Sequence, residues 1–211
     1  MSKTKLVVDF CSYEAAKYAV MNWHYSKRMP RSRQQFVGVW EDGQFIGAVI
    51  FGKSVTPHLG KKYQLDAWTS AELTRIALNS HAAPVSKIVS AAIKLIATKN
   101  KGVRLLVSYA DPNVGHVGGI YQAMNWIYVG KSAKITQYWF RNQWRNDTRL
   151  FKLFAANPAI KKTCPTRILE GKHEYLYPLD RAMRRQIEPL AKPYPKKLDM
   201  PPVNGDNLAT S

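Results

Sequence analysis

The chain has 211 residues, 45% of them hydrophobic, enough apolar material for a sizeable core, which excludes a largely disordered protein. Its 32 Lys and Arg against 14 Asp and Glu leave a formal net charge of +18, and a polyanion such as DNA or RNA offsets that self-repulsion. Cys11 and Cys164 stand far apart, outside CxxC spacing, which excludes a structural zinc site. No run approaches about 18 apolar residues, no stretch reads as a basic amphipathic anchor, and MSKTKLVVDF lacks a signal-peptide core. A cytoplasmic protein with free thiols and no membrane partner is expected.

The pattern predicts an opening strand over 5–10 and then a helix over 13–23, with Ser12 as N-cap and Glu14 in the first turn. HYSKRMPRSRQ breaks the periodicity and is read as a basic loop carrying Lys27, Arg28, Arg31 and Arg33 without an acidic residue. QFVGVW and QFIGAVIFG, separated by EDG, predict an antiparallel hairpin. An irregular stretch over 53–70 follows, then a strand in AELTRIALNS. Behind Pro84, VSKIVSAAIKLIA places Val85, Ile88, Val89, Ala92 and Ile96 on one helical face. VRLLVSYAD, apolar nearly throughout, predicts a central strand. PNVGHVGG is a Gly-rich loop, IYQAMNW a short helix and WIYVGKS a strand.

From 133 to 154 the character changes, with aromatics interleaved among basic residues; HEYLYPL is a late strand whose His173, Tyr175 and Tyr177 share a face, and they receive no chemical role. The Pro-rich tail is expected to be disordered at its far end. The order predicts a mixed α/β (α+β) sheet flanked by helices. One domain is expected over 1–180, including a basic, aromatic insertion at 133–160, with a C-terminal extension over 181–211. No GxGxxG or GxxxxGK[ST] follows a strand, so a Rossmann or P-loop site is unsupported.

Several side chains are of types that carry chemistry. Asp111 ends a strand before Pro112 and the Gly-rich loop, where a carboxylate serves as general base, as metal ligand, or only as the first residue of a turn. His24 and Tyr25 follow a helix end, where a histidine is often a dipole partner. His116 lies in the Gly-rich loop, to contact substrate or cap the next helix, and Glu72 and His81 are weaker candidates. Trp139, Arg141, Trp144 and Arg145, with Tyr138, Phe140 and Arg149, form the best nucleic-acid segment. Basic groups neutralise phosphates and exposed aromatics stack on unpaired bases; the alternative is tryptophans in the core and solvated arginines.

The element order resembles the acetyltransferase (GNAT) fold. ELTRIAL looks like the family's fourth strand, whose backbone edge around Ile76 would pair with a donor's pantetheine arm. The loop 79–87, with Asn79, Ser80, Ser86 and Lys87, opens a helix where a diphosphate would rest on N–H groups. The usual Gly-rich loop is replaced by NSHAAPVSKIVS, so the donor is left as acyl-CoA-like or an aminoacyl carrier. YQAMNWIYVG is similar to the segment in which a tyrosine, here Tyr121, acts as general acid or simply fills the core.

More specifically, His24-Tyr25, the hairpin, ELTRIAL and above all ADPNVGHVGGIYQAMNW resemble the bacteriophage Mom DNA-modification proteins over roughly 20–132. That resemblance implies a phage-encoded enzyme that converts adenine in DNA to an N6-carbamoylmethyl form and protects phage DNA from restriction. It also makes His24, Tyr25 and Asp111 an oxygen-rich set suited to iron. The partner implied is double-stranded DNA with a flipped adenine, because N6 is unreachable inside a stack; a homodimer stays open. The competing readings are an acyltransferase acting on a protein or small molecule and a non-catalytic DNA-binding phage protein.

Overall fold

A computed structural model describes residues 4–53, 62–66 and 68–196. In chain order the elements are β1 (Leu6–Phe10), α1 (Tyr13–Trp23), β2 (Gln34–Glu41), β3 (Gln44–Gly52), β4 (Ser70–Leu78) and α2 (Val85–Lys99). Then come β5 (Leu105–Ala110), a 3-10 turn (Pro112–Val114), α3 (Gly119–Ala123), β6 (Ile127–Lys131), β7 (Ile135–Trp139), β8 (Trp144–Arg145), α4 (Thr148–Ala156) and α5 (Pro158–Thr163). The chain ends in β9 (Thr166–Leu169), β10 (His173–Pro178), α6 (Arg181–Ile187) and a second 3-10 turn (Glu188–Leu190). Half of the stretch expected to be irregular, and the far end of the tail expected to be disordered, lie outside the described residues at 54–61, 67 and 197–211. No helix among the described residues is long and apolar enough to cross a membrane.

The strands form a seven-stranded mixed sheet, ordered β1-β2-β3-β4-β5-β10-β6, and a three-stranded sheet, ordered β8-β7-β9. This is the mixed sheet flanked by helices that the element order predicts. The chain divides into two compact units. One comprises Met1–Tyr109, Gly118–Val129 and Glu174–Tyr194; the other comprises Ala110–Val117, Gly130–His173 and Pro195–Ser211. The stretch expected as an insertion falls within the second unit.

In the first unit, Ser12 caps α1 by accepting the Ala15 N–H at 3.2 Å. Ala16, Ala19 and Val20 on its inner face pack against Ala48, Ile50 and Ala77. The β2–β3 turn puts Asp42 (φ 48°) and Gly43 (φ 84°) in the left-handed region, the two-residue hairpin turn that an Asp-Gly pair favours. α2 buries Ile88, Val89, Ala92, Ile93 and Ile96; of the predicted face Val85 is only half-buried, and Ile93 is added. A second cluster joins Tyr63, Leu105, Val107, Ile127, Leu176, Met183 and Ile187. Asp180 fastens α6 there, accepting the Met183 N–H and pairing with Arg104 at 2.7 and 3.1 Å.

In the second unit, β7 is central. It pairs antiparallel with β9 from Ile135↔Leu169 to Tyr138↔Thr166, and with β8 at Tyr138↔Arg145 and Trp139↔Trp144. Tyr138 meets Phe154 edge-on at 4.9 Å and Phe151 at 6.2 Å, which fastens the sheet to α4. Asp147 caps α4 through the Arg149 and Leu150 N–H groups.

Candidate functional site

The first unit contains a fork between parallel strands. The β4–β5 ladder covers Ser70↔Leu105, Ala71↔Leu106 and Glu72↔Val107. At the next step a side chain takes over, with Ser108 Oγ donating to the Leu73 carbonyl at 2.8 Å. β4 runs on to Leu78 against β3, so the backbone of 74–78, including Ile76, lies beyond that ladder.

Tyr121, on α3, reaches this fork, its hydroxyl 2.6 Å from Ser108 Oγ. Ser108 has one hydroxyl hydrogen, and the Leu73 carbonyl can only accept. The neutral Tyr121 hydroxyl therefore donates to Ser108, forming a two-step chain from phenol to backbone. Burial pushes the Tyr121 phenol up to about 12, and nearby Tyr25 and Glu72 push the same way. The phenol thus stays protonated at neutral pH. Its ring sits in an aromatic cluster, 5.0 Å from Trp126 and 5.2 Å from Tyr175, and Gln122 Nε2 donates to the Tyr175 hydroxyl. Gly118, the N-cap of α3, has φ 80°, and a Cβ there would fall 2.4 Å from the Tyr175 ring. Only glycine satisfies both conditions, which accounts for part of the Gly-rich loop.

His24 follows α1 as its C-cap and is buried, whereas Tyr25 is 57% exposed; their rings stack at 4.4 Å. The Ser26 N–H donates to His24 Nδ1 at 3.1 Å, and Ser26 Oγ lies 2.8 Å from the same nitrogen. A ring accepting at Nδ1 is protonated at Nε2 when neutral, a position where a metal requires a lone pair. His24 and Tyr25 belong to the first unit and Asp111 to the second. No group of three or more His, Cys, Asp or Glu suited to a metal occurs among the described residues. As arranged, His24 does not fit the iron reading.

The donor loop holds a feature the sequence pattern did not disclose. Glu41, buried at the end of β2, accepts the N–H groups of Ala82 and Ala83 at 2.8 and 2.7 Å. These bonds hold its carboxyl below the usual carboxylate range. Two amides of the segment where a diphosphate was expected are therefore occupied by the protein's own anion, in front of α2, whose N-cap, Pro84, has no side-chain cap bond. Asn79, Ser80 and Lys87 are exposed and Ser86 is half-buried. The Asn79 N–H is used by the Ile46 carbonyl at 2.9 Å.

In the second unit, Asp111 works as a turn former. Its Oδ1 accepts the Asn113 N–H at 3.0 Å and Asn113 Nδ2 at 2.8 Å, and its Oδ2 lies 3.5 Å from Lys172 Nζ. Asn113 also exchanges hydrogen bonds with the backbone of Glu170, whose carboxylate pairs with Lys134 at 2.6 Å and Lys131 at 3.7 Å. Asn113, Glu170 and Lys172 carried no sequence signal. His116 is exposed, and its N–H donates to the Asp111 carbonyl. His173 is buried, and that burial, with Lys131 nearby, lowers its tendency to protonate.

Of the nucleic-acid candidates, Arg28, Arg31 and Arg33 are exposed in the first unit. In the second, Trp139 is 39% exposed and packs edge-on against half-buried Trp144 at 5.3 Å, while Arg167 lies 4.6 Å over the Trp144 ring. Arg141 is exposed, and Arg145 is clamped by Asp147 at 2.7 and 3.0 Å. The segment thus divides as its two readings suggested: Trp144 and Arg145 build structure, while Trp139 and Arg141 face solvent.

The profile of the Mom protein family matches residues 5–196. A methylcarbamoylase, Mom of Escherichia phage Mu, is 26% identical over 147 residues, covering 68% of this chain and 61% of the relative. The chain thus matches less than two thirds of that relative's length. Among solved structures, FeeM, an N-acyl amino acid synthase from uncultured soil microbes, is 9% identical with a TM-score of 0.50, covering 87% of this chain and 95% of that one. A chain assigned as an acetyltransferase from Acinetobacter baylyi ADP1 is 13% identical with a TM-score of 0.47, over 85% and 95% of the two chains. At 9% identity FeeM speaks to the fold alone.

Proposed function

The chain belongs to the Mom protein family, and on that premise we propose that it is a transferase that converts adenine in DNA to an N6-carbamoylmethyl form and so protects phage DNA from restriction. The observation that carries this reading is the protonated Tyr121 hydroxyl at the fork beside Ser108. The relative's description as a methylcarbamoylase and the charge of +18 support it.

In this reading an acyl-type donor lies along the 74–78 edge of β4. For the carbamoylmethyl product the N6 lone pair of adenine attacks the methylene carbon that joins the carbamoyl group to its donor, a C–N bond forms, and the bond from that methylene to the leaving group breaks. The leaving group takes the bonding pair and a proton from Tyr121, and the N6 proton passes to a carboxylate. Two residues compete for that last role: Asp111, the candidate from its strand-end position, and Glu72, which closes the β4–β5 ladder and acts electrostatically on Tyr121. Donor anchoring differs from the diphosphate arrangement expected from the fold resemblance, because Glu41 already fills the Ala82 and Ala83 amides.

The test is mass spectrometry of nucleosides from DNA of cells expressing the protein. A modified deoxyadenosine is expected. Unmodified nucleosides alone, with the protein soluble and folded, would refute the reading. Asp111→Asn and Glu72→Gln in the same assay identify the proton acceptor.

A further inference from the structure

The β7–β8 connection is a two-residue turn. The Phe140 N–H donates to the Gln143 carbonyl at 2.9 Å, and the two residues between, Arg141 (φ 50°) and Asn142 (φ 60°), both lie in the left-handed region. This turn matches the twist of paired strands, and glycine relieves its strain most readily. Neither position is glycine. Arg141 in particular is a long side chain held in a backbone conformation it disfavours, and such strain gathers at working sites.

The tip is also exposed and firmly mounted. Arg141, Asn142 and Gln143 face solvent, and the Arg141 guanidinium lies 5.4 Å from the Phe140 ring centroid. Behind them the Trp139–Trp144 pair, Arg167 stacked on Trp144, and the Arg145–Asp147 clamp immobilise the base of the hairpin. No Asp or Glu occurs from Lys131 to Asn146, so the whole projection is free of charges that repel phosphate.

We propose that this hairpin tip enters the DNA duplex and fills the space an extruded adenine leaves, with Asn142 facing the orphaned thymine and Arg141 on the flanking strand. A two-stranded β-ribbon fits the major groove, and an inserted side chain offsets the unstacking that base flipping requires. An Asn carboxamide can donate to thymine O4 and accept from its N3–H, the pairing lost when adenine leaves. The inference rests on the DNA-adenine reading above.

The experiment replaces the tip by the sequence that suits the turn best, Arg141→Asn together with Asn142→Gly. This change relaxes the backbone, so the thermal midpoint should hold or rise. Short duplexes carrying 2-aminopurine in place of adenine report extrusion as increased fluorescence. With wild-type protein the fluorescence should rise on binding. With the variant the extruded population should fall about tenfold, as for loss of one contact within a base stack. A stable variant that extrudes as well as wild type overturns the inference and leaves the DNA reading standing. If wild-type protein binds no duplex at all, the DNA reading falls and the inference falls with it.

Discussion

Removing one oxygen atom tests the fork. In Tyr121→Phe the ring keeps its contacts with Trp126 and Tyr175, and Ser108 keeps its bond to the Leu73 carbonyl. Only the 2.6 Å hydrogen bond and the acidic proton are lost. A net buried hydrogen bond contributes about 1 kcal/mol, which for a chain of this size lowers the thermal midpoint by about 2–4 °C. Loss of a general acid reduces transfer by about 10²- to 10⁴-fold. Ser108→Ala should be the more damaging change to stability, at about 1–3 kcal/mol, because it strands the buried Tyr121 donor. Tyr121→Ala, by contrast, opens a core cavity costing about 3–5 kcal/mol and is uninformative about chemistry. Thermal melts and nucleoside mass spectrometry on the same preparations read both quantities. If Tyr121→Phe folds with the expected small loss and transfers at the wild-type rate, the phenol is only core. If Ser108→Ala proves no worse than Tyr121→Phe, the direction assigned to their hydrogen bond is wrong.

The remaining predictions concern charge. Asp111→Asn should fold, because an asparagine oxygen can still accept the Asn113 N–H, and should abolish transfer if Asp111 takes the N6 proton; undiminished modified deoxyadenosine would return it to turn formation and point to Glu72. At alkaline pH, Tyr121 and Tyr175 are pushed up to about 12 in the folded protein, chiefly by burial, from the ordinary tyrosine value of about 10. Their contribution is therefore complete below pH 10 and is lost as pH rises toward 12, by up to roughly 2–3 kcal/mol each; urea midpoints that do not fall across this window would count against their burial. On the acid side Asp147 and Asp180, held near 2 chiefly by Arg145 and Arg104, contribute above the ordinary Asp range and lose that contribution as pH falls toward 2, so Asp180→Asn should flatten the acid limb of the stability curve. DNA affinity should fall with salt by roughly 0.9 log unit per log unit for each phosphate contacted; joint replacement of Arg28, Arg31 and Arg33 by Ala should reduce that slope, and an unchanged slope would exclude this loop from the interface.

Much of the architecture was legible because local signals agreed. Ser12 ahead of an amphipathic run specified α1, Asp42-Gly43 between two apolar strands specified the hairpin, and Pro84 before a 3.6-residue apolar period specified α2. Strand alternation and helix periodicity are short-range properties, so a single sequence carries them. The motif around 110–126 was equally visible, and it carried the family resemblance.

What only the tertiary structure decided depends on pairs distant in the chain. HEYLYPL was readable as a strand, but its place between β5 and β6 follows from which edges and apolar faces are available once the sheet assembles. Glu41 looked like part of a turn; its bonds to Ala82 and Ala83 span about forty residues, and no local pattern announces them. Ser108 read as one small residue in an apolar strand, and its chain from Tyr121 to Leu73 exists only where β4 and β5 part. The division of labour among Trp139, Arg141, Trp144 and Arg145 was likewise undecided, because alternation along a strand shows that faces differ without showing which face meets water. Sequence distributes residue types along elements, whereas exposure and partnership are set when those elements pack.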